Sequence, residues 1–214
     1  MKYKTLIFDL DGTLLNTLDD LASSVNYAMR ECGFCQRTLD EVRRFIGNGV
    51  EVLIRRAVPR GTTEEEYNEA LAVFKEHYKK NSRNKTAPYN GITELLAKLK
   101  QNGYNLAIVS NKVDFAVKDL RDEFFNGLID VAIGDSAATR TKPEPDMVYK
   151  AIEELGANRN ECVYIGDTDV DIETAKNSGM DCISVSWGFR SRAELESYGA
   201  QMIADTAEDI WSFV

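Results

Sequence analysis

Two aspartates stand two residues apart in Asp9-Leu10-Asp11-Gly12-Thr13, directly after the apolar run Thr5-Leu6-Ile7-Phe8. Like charges that close repel, and the end of a buried strand partly desolvates them, so one of the two should have a raised pKa. A cation that offsets the repulsion, or a reaction that needs one base and one acid, would justify the pair; a D-x-D-G surface turn is the alternative. Gly12 lets the backbone turn sharply, and Thr13 can donate a hydroxyl hydrogen bond into the same loop. Further along, Ser110-Asn111, Lys142 before Pro143, and Gly166-Asp167-Thr168-Asp169-Val170-Asp171 add a hydroxyl, an amide, an ammonium and more carboxylates. Pro143 biases Lys142 to extended backbone, so Lys142 should reach out rather than join a helix. Oxygen ligands without histidine or thiol suit a hard cation such as Mg2+. Ser110, backbone N–H groups and Lys142 suit the oxygens of a phosphoryl group. One carboxylate of the first pair is then free to act as nucleophile, as in aspartyl-phosphate chemistry. Singly, each feature has a plainer reading: Ser110-Asn111 as a turn or cap, Lys142 as a surface lysine, Asp169 and Asp171 as helix caps. The cap reading is kept for Asp169.

Positioning these residues requires strands that end where they begin. Short apolar runs occur at Thr5 to Phe8, Leu106 to Val109, Val131 to Ile133, Cys162 to Ile165 and Cys182 to Val185. Their length and continuous apolarity predict strands buried on both faces of a parallel sheet. Helical patterns alternate with them: Ile92 to Gln101, Asp146 to Leu155 and Asp171 to Ser178, stopped by Gly103, Gly156 and Gly179. The fold class is therefore α/β, a Rossmann-like parallel sheet, and ligands of such sheets bind beyond the carboxyl ends of the strands. Residues 17–86 break the alternation and read as helices throughout: Leu18 to Glu31, Leu39 to Phe45, Val50 to Val58 and Glu64 to Lys80. They carry 12 Lys/Arg against 11 Asp/Glu, whereas the remainder carries 14 against 24. The expected organisation is a core of residues 1–16 and 87–214 with a helical insertion, residues 17–86.

The 214 residues, 43% hydrophobic and 29% charged, are ordinary for a globular protein with a full core. A net charge of −9 argues against non-specific nucleic-acid binding. The apolar runs are too short to span a membrane, and the one before Asp9 is too short for a signal-peptide core, so a cytoplasmic location is expected. Cys32 and Cys35 make a C-x-x-C at a helix end; with no second pair and no preceding strand, neither zinc nor a redox role is favoured. Cys162 and Cys182 read as small core residues. His77 is the single histidine, which argues against histidine triads and metal clusters; in its charged helical stretch it should be a solvated surface residue.

The four blocks Asp9 to Thr13, Ser110-Asn111, Lys142-Pro143 and Gly166 to Asp171 resemble, in order, those of the haloacid dehalogenase-like superfamily of phosphohydrolases. The resemblance covers the whole chain. Residues 17–86 resemble the small helical cap of its phosphoglycolate phosphatase group, notably in Phe45-Ile46-Gly47-Asn48-Gly49-Val50 with Leu53 and Arg56-Ala57, and Trp187-Gly188-Phe189-Arg190 is similar too. The resemblance implies that Asp9 attacks phosphorus and that Asp11 protonates the leaving alkoxide and later activates water. It implies Mg2+ held by Asp9, the Asp11 backbone carbonyl and Asp167, with Asp171 close by or acting through water. It implies phosphate binding by Ser110, Asn111 and Lys142, with Thr13 supporting this loop. Arg44, Gly47, Asn48, Gly49, Arg55 and Arg56 are the cap residues expected to meet the substrate; the arginines suit a carboxylate. The implied partner is a small phosphorylated metabolite such as 2-phosphoglycolate, with no nucleic acid and no membrane, for a monomer or homodimer. Asp11 argues against a dehalogenase, which has no leaving oxygen to protonate. A phosphonate hydrolase would need a cap lysine, and Lys75, Lys79, Lys80 and Lys85 cluster in the last polar helix and its exit. A β-phosphoglucomutase-like sugar phosphomutase, a pyrophosphatase or other small-phosphate hydrolase, and a non-catalytic binding protein are the alternatives.

Overall fold

A computed structural model describes residues 2–214. The chain divides into two compact units, one of Met1–Leu15 with Pro88–Val214 and one of Asn16–Ala87. The first is an α/β unit. Its six-stranded sheet is built from β1 (Thr5–Phe8), β4 (Asn105–Val113), β5 (Val131–Asp135), β6 (Cys162–Gly166), β7 (Asp181–Val185) and β8 (Met202–Ala204). The short β2 (Leu15–Asn16) and β3 (Ala87–Pro88) pair separately. The order across the main sheet is β5-β4-β1-β6-β7-β8, and every pairing is parallel. The central β1 is flanked by β4 on one side and β6 on the other, which makes its carboxyl end the point where the strand order reverses. Ligands of open α/β sheets bind at such a point.

Strand alternation sorts the side chains into two cores. Leu6, Phe8, Leu106, Ile108, Val163 and Ile165 face one side. There they meet α5 (Ile92–Gln101), α6 (Asp114–Phe124) and α10 (Ala207–Trp211) through Leu95, Leu99, Val117, Leu120 and Ile210. Ile7, Ala107, Val109, Ile133 and Tyr164 face the other. They pack with Met147, Val148 and Ala151 of α7 (Asp146–Leu155) and Ala175 of α8 (Asp169–Ser178). In α5 the buried residues Ile92, Leu95, Leu96 and Leu99 follow the helical period. α7 and α8 stop at Gly156 (φ 60°) and Gly179 (φ 68°), left-handed positions that glycine adopts without a Cβ penalty. α9 (Arg192–Ser197) completes the unit.

The helical unit holds α1 (Leu18–Glu31), α2 (Leu39–Phe45), α3 (Gly49–Ala57) and α4 (Glu64–Asn81). Capping boxes Thr38/Glu41 and Thr63/Glu66 start α2 and α4. Val25, Met29, Ile54, Ala70 and Phe74 form its interior. Among the described residues no helix is long and apolar enough to cross a membrane.

Several expectations are corrected. β4 runs to Val113, so Ser110 and Asn111 lie inside an irregular strand extension rather than after its end. α6 was not expected, because only Val117 and Leu120 bury among six charged residues from Asp114 to Glu123. His77 is half-buried, not solvated: its ring stacks on Tyr27 at 4.1 Å and its Nδ1 lies 3.0 Å from Ser24 Oγ. Cys182 only borders the core, half-buried. The four cysteines are free thiols.

Candidate active site

Asp9 directly follows β1, with its N–H donating to Ile165 O of β6 (2.8 Å). The chain then turns at Gly12 (φ 91°), whose N–H donates to Leu15 O (2.8 Å). A Cβ at Gly12 would collide with the Asp167 carboxylate and the Phe189 ring, so glycine is required both for the turn and for the close approach. Thr13 is fully buried and its hydroxyl donates to Asp167 Oδ1 (2.8 Å). The proton that could have met a phosphate is thus used to orient a carboxylate.

Lys142 is the hub of the buried charges. Its Nζ lies 2.9 Å from Asp9 Oδ1 and 2.7 Å from Asp171 Oδ1, and it donates to Tyr164 OH at 3.1 Å. Its backbone is clasped by the Asn111 side chain: Lys142 N donates to Asn111 Oδ1 (2.8 Å), and Asn111 Nδ2 donates to Lys142 O (3.1 Å). Burial alone would lower the lysine pKa, but the Asp171 and Asp9 carboxylates outweigh it and hold the ammonium charged well above its ordinary range. Asp171 also starts α8. Its Oδ2 accepts from Asp167 N (3.2 Å), Thr168 N (3.0 Å) and Thr168 Oγ1 (2.7 Å). The capping carboxylate is therefore Asp171, not Asp169. Asp169 sits one residue inside the helix and faces Arg190 at 3.4 Å.

Asp9, Asp167 and Asp171 are all buried, and each brings one oxygen within 4.8 Å of the others. Three carboxylates around one ammonium leave excess negative charge out of water, which is costly without a cation. Burial raises Asp9 to about 7; the Lys142 ammonium works against this, while the charges of Asp171 and Asp11 add to it. Asp9 thus carries the raised pKa expected of one member of the first pair. Burial, then the Asp171 and Asp9 charges, push Asp167 well above the usual carboxylate range. Asp9 Oδ1 has no hydrogen-bond donor, because Lys142 approaches it as an ion pair without hydrogen-bond geometry. The hard oxygen set, the uncompensated charge and the orphaned oxygen all fit a divalent cation. Asp171 has the least to offer it: its two oxygens accept five hydrogen bonds, against two at Asp167.

Three features beyond the expected residues complete the site. Lys112 Nζ pairs with both oxygens of Asp11, at 3.0 and 2.8 Å. The loop after β7 holds Asp167: Phe189 N donates to Asp167 Oδ2 (2.7 Å), and Trp187 Nε1 donates to Thr13 O (3.0 Å). A Cβ at Gly188 would strike Asp167 and the Gly12 carbonyl. Tyr164 OH bridges Lys142, Asp171 and Val109 O. In sequence, Lys112 is marked only by following Ser110-Asn111, and Trp187 to Arg190 only by family likeness; Tyr164 sits in an ordinary strand and carries no mark. Ser110 is buried, and its Oγ accepts from Lys112 N at 3.3 Å.

The remaining expected residues lie in the helical unit. Gly47 and Gly49 have positive φ, 129° and 80°, and Asn48 stands at the N-cap position of α3 without a side-chain capping bond. Arg44 pairs with Asp40. Arg55 makes a two-point pair with Glu64 (2.9 and 2.9 Å) and lies over the Tyr67 ring. Arg56 Nη1 donates to Phe45 O (2.9 Å).

Residues 6–185 match the model of the haloacid dehalogenase-like hydrolase family. Among curated proteins, a phosphoglycolate phosphatase of Aquifex aeolicus is 35% identical over 87% of this chain and 86% of its own length. One of Colwellia psychrerythraea is 29% identical over 97% and 95%. Among solved structures, a candidate phosphoglycolate phosphatase of Lactobacillus delbrueckii subsp. bulgaricus superposes with a TM-score of 0.94 at 42% identity, covering 98% of this chain and 97% of that one. The chain belongs to the haloacid dehalogenase-like hydrolases, in the group similar to the phosphoglycolate phosphatases.

Proposed function

We propose that this hydrolase is a Mg2+-dependent phosphatase of small phosphate monoesters, with 2-phosphoglycolate as the leading substrate, working through a phospho-aspartate on Asp9. The observation that carries the reading is the buried Asp9 carboxylate, one oxygen without a donor, beside Lys142 at 2.9 Å. The substrate rests on the names of the relatives. Asp9, the Asp11 backbone carbonyl and Asp167 would hold the cation, with Asp171 behind them. When bound it supplies charge neutralisation to the carboxylates and the phosphoryl oxygens.

Ser110 Oγ, the Asn111 backbone N–H and Lys142 Nζ bind the phosphoryl oxygens. An Asp9 oxygen attacks phosphorus as the bond to the leaving alkoxide breaks, and Asp11 gives that alkoxide a proton. Asp11, now a carboxylate, takes a proton from water. The hydroxide attacks phosphorus, the bond to Asp9 breaks, and inorganic phosphate leaves with Asp9 restored. Phosphoryl transfer depends mainly on positioning and charge neutralisation, and these residues supply both. The helical unit serves as a cap that excludes water during transfer, with Arg44, Gly47, Asn48, Gly49, Arg55 and Arg56 as its substrate-facing candidates. The enzyme works in the cytoplasm on a small phosphorylated metabolite, as a monomer or homodimer.

The test is phosphate release from a panel of small esters with Mg2+. Selective turnover of phosphoglycolate should fall at least about 10³-fold in Asp9→Asn and vanish with chelator. Weak, unselective rates that still need Asp9 would keep the chemistry and replace the substrate, with a sugar phosphomutase or another small-phosphate hydrolase next in line. Release that does not depend on Asp9 would overturn the reading.

A further inference from the structure

Lys112 has no part in the reaction as derived, yet its ammonium sits on the acid–base residue. The side chains of Lys112 and Asp11 are only 6% and 17% exposed, and both Asp11 oxygens lie within 3.0 Å of Nζ. The backbone is built to put it there. β4 pairs in register with β5 from Ala107↔Val131 to Val109↔Ile133, and the next pair is Val113↔Asp135. Three residues of β4, Ser110 to Lys112, thus stand opposite one of β5, Gly134. Such irregularities re-aim side chains at the ends of strands. Gly134 pins the segment: a Cβ there would collide with the Asp114 backbone and the Lys112 carbonyl, and Gly134 N donates to Asp114 Oδ1 at 2.9 Å.

We propose that Lys112 is a specificity residue, the cation that receives a carboxylate carried on the leaving alcohol of the phosphate ester. The proposal rests on the phosphatase reading above. The two buried lysines divide the site between them. Lys142 is held between Asp9 and Asp171, on the phosphoryl side. Lys112 is held on Asp11, the residue that must touch the leaving oxygen. A carboxylate one carbon beyond that oxygen, as in phosphoglycolate, falls within reach of the same ammonium. Binding it exchanges one carboxylate partner for another or shares the ammonium between them, so the lysine is not left buried and uncompensated.

The test compares kcat/KM for 2-phosphoglycolate and for ethyl phosphate, which has a methyl group in place of the carboxylate. It uses the full-length Mg2+-loaded enzyme and Lys112→Met, Lys112→Gln and Lys112→Arg. Both substrates should slow in Lys112→Met and Lys112→Gln, because Asp11 loses its partner. The ratio of phosphoglycolate to ethyl phosphate should fall by a further tenfold or more, about 1.4 kcal/mol, mainly through KM for phosphoglycolate. Lys112→Arg should restore most of the ratio. The intrinsic difference between the two leaving groups cancels in this comparison. Equal losses on both substrates would reduce Lys112 to a positioning residue for Asp11 and overturn the proposal, as would a wild-type enzyme that turns over both esters equally well in an Asp9-dependent way. That second result would leave the phosphatase reading standing. No Asp9-dependent turnover of either ester would overturn both. If Lys112→Met does not fold, Lys112→Gln and Lys112→Arg carry the same ratio test.

Discussion

Both units bury aspartates, and Asp20 and Asp9 are treated in opposite ways. Asp20 of the helical unit is 3% exposed and fully satisfied by neutral donors: Lys85 N (3.1 and 3.0 Å), Thr86 N (2.9 Å) and Thr86 Oγ1 (2.9 Å). Asp9 of the α/β unit is 7% exposed, faces an ammonium and two further carboxylates, and keeps one oxygen without a donor. The first arrangement ties chain to chain. The second is expensive for the fold, and the expense is explained only by a cation and by chemistry. The other charges divide the same way. In the helical unit, pairs such as Arg55–Glu64 and Lys75–Glu51 lie on the surface, where solvent screens them. In the α/β unit Lys112, Lys142, Asp167 and Asp171 are all buried.

The contrast can be broken at several points. Asp20→Ala should give the largest stability loss, about 2–4 kcal/mol, because it strands the buried N–H and hydroxyl of Thr86 and the part-buried N–H of Lys85; a denaturant midpoint close to wild type would show that the clasp is dispensable. Asp9→Asn should act in the opposite direction in the metal-free protein. The Asp9 carboxyl is raised to about 7 from an ordinary 3.8, so the fold favours its neutral form. The stability this contributes is fully present below about pH 4 and is lost as the pH rises through about 7. With chelator present, Asp9→Asn should therefore melt above wild type at pH 8, and by a smaller margin at pH 5. A gain that is equal at both pH values would mean that Asp9 carries no raised pKa. Arg55→Ala, which removes an exposed pair, should leave the melt indistinguishable from wild type; a clear drop would mean that the surface pairs of the helical unit matter more than their exposure implies.

Much of the α/β unit was legible because strands buried on both faces have no choice but to be apolar. Thr5–Phe8, Ile92–Gln101 and Asp146–Leu155 have the bounds their patterns predict. α6, β8 and α10 were not legible. They are short or carry few buried residues, so neighbours rather than local pattern hold them in place. Asp9, Asp11, Ser110 and Asp167 were visible because polar residues that follow apolar runs stand out, and Lys142 because Pro143 comes next. What each carboxylate does was not. Asp171 rather than Asp169 takes the capping role, since only its oxygen reaches the N–H of Thr168 (3.0 Å).

The sequence by itself determined which residue types follow the apolar runs, because strands buried on both faces must be apolar and the polar residues that interrupt them are conspicuous. Only the tertiary structure decided the partners. Lys112 on Asp11, Lys142 between Asp9 and Asp171, and Phe189 N on Asp167 join residues separated by 101, 133, 29 and 22 positions. No local signal encodes such contacts. They follow from the order in which parallel strands pack side by side, and from a two-residue slip in β4 that turns Lys112 toward the site.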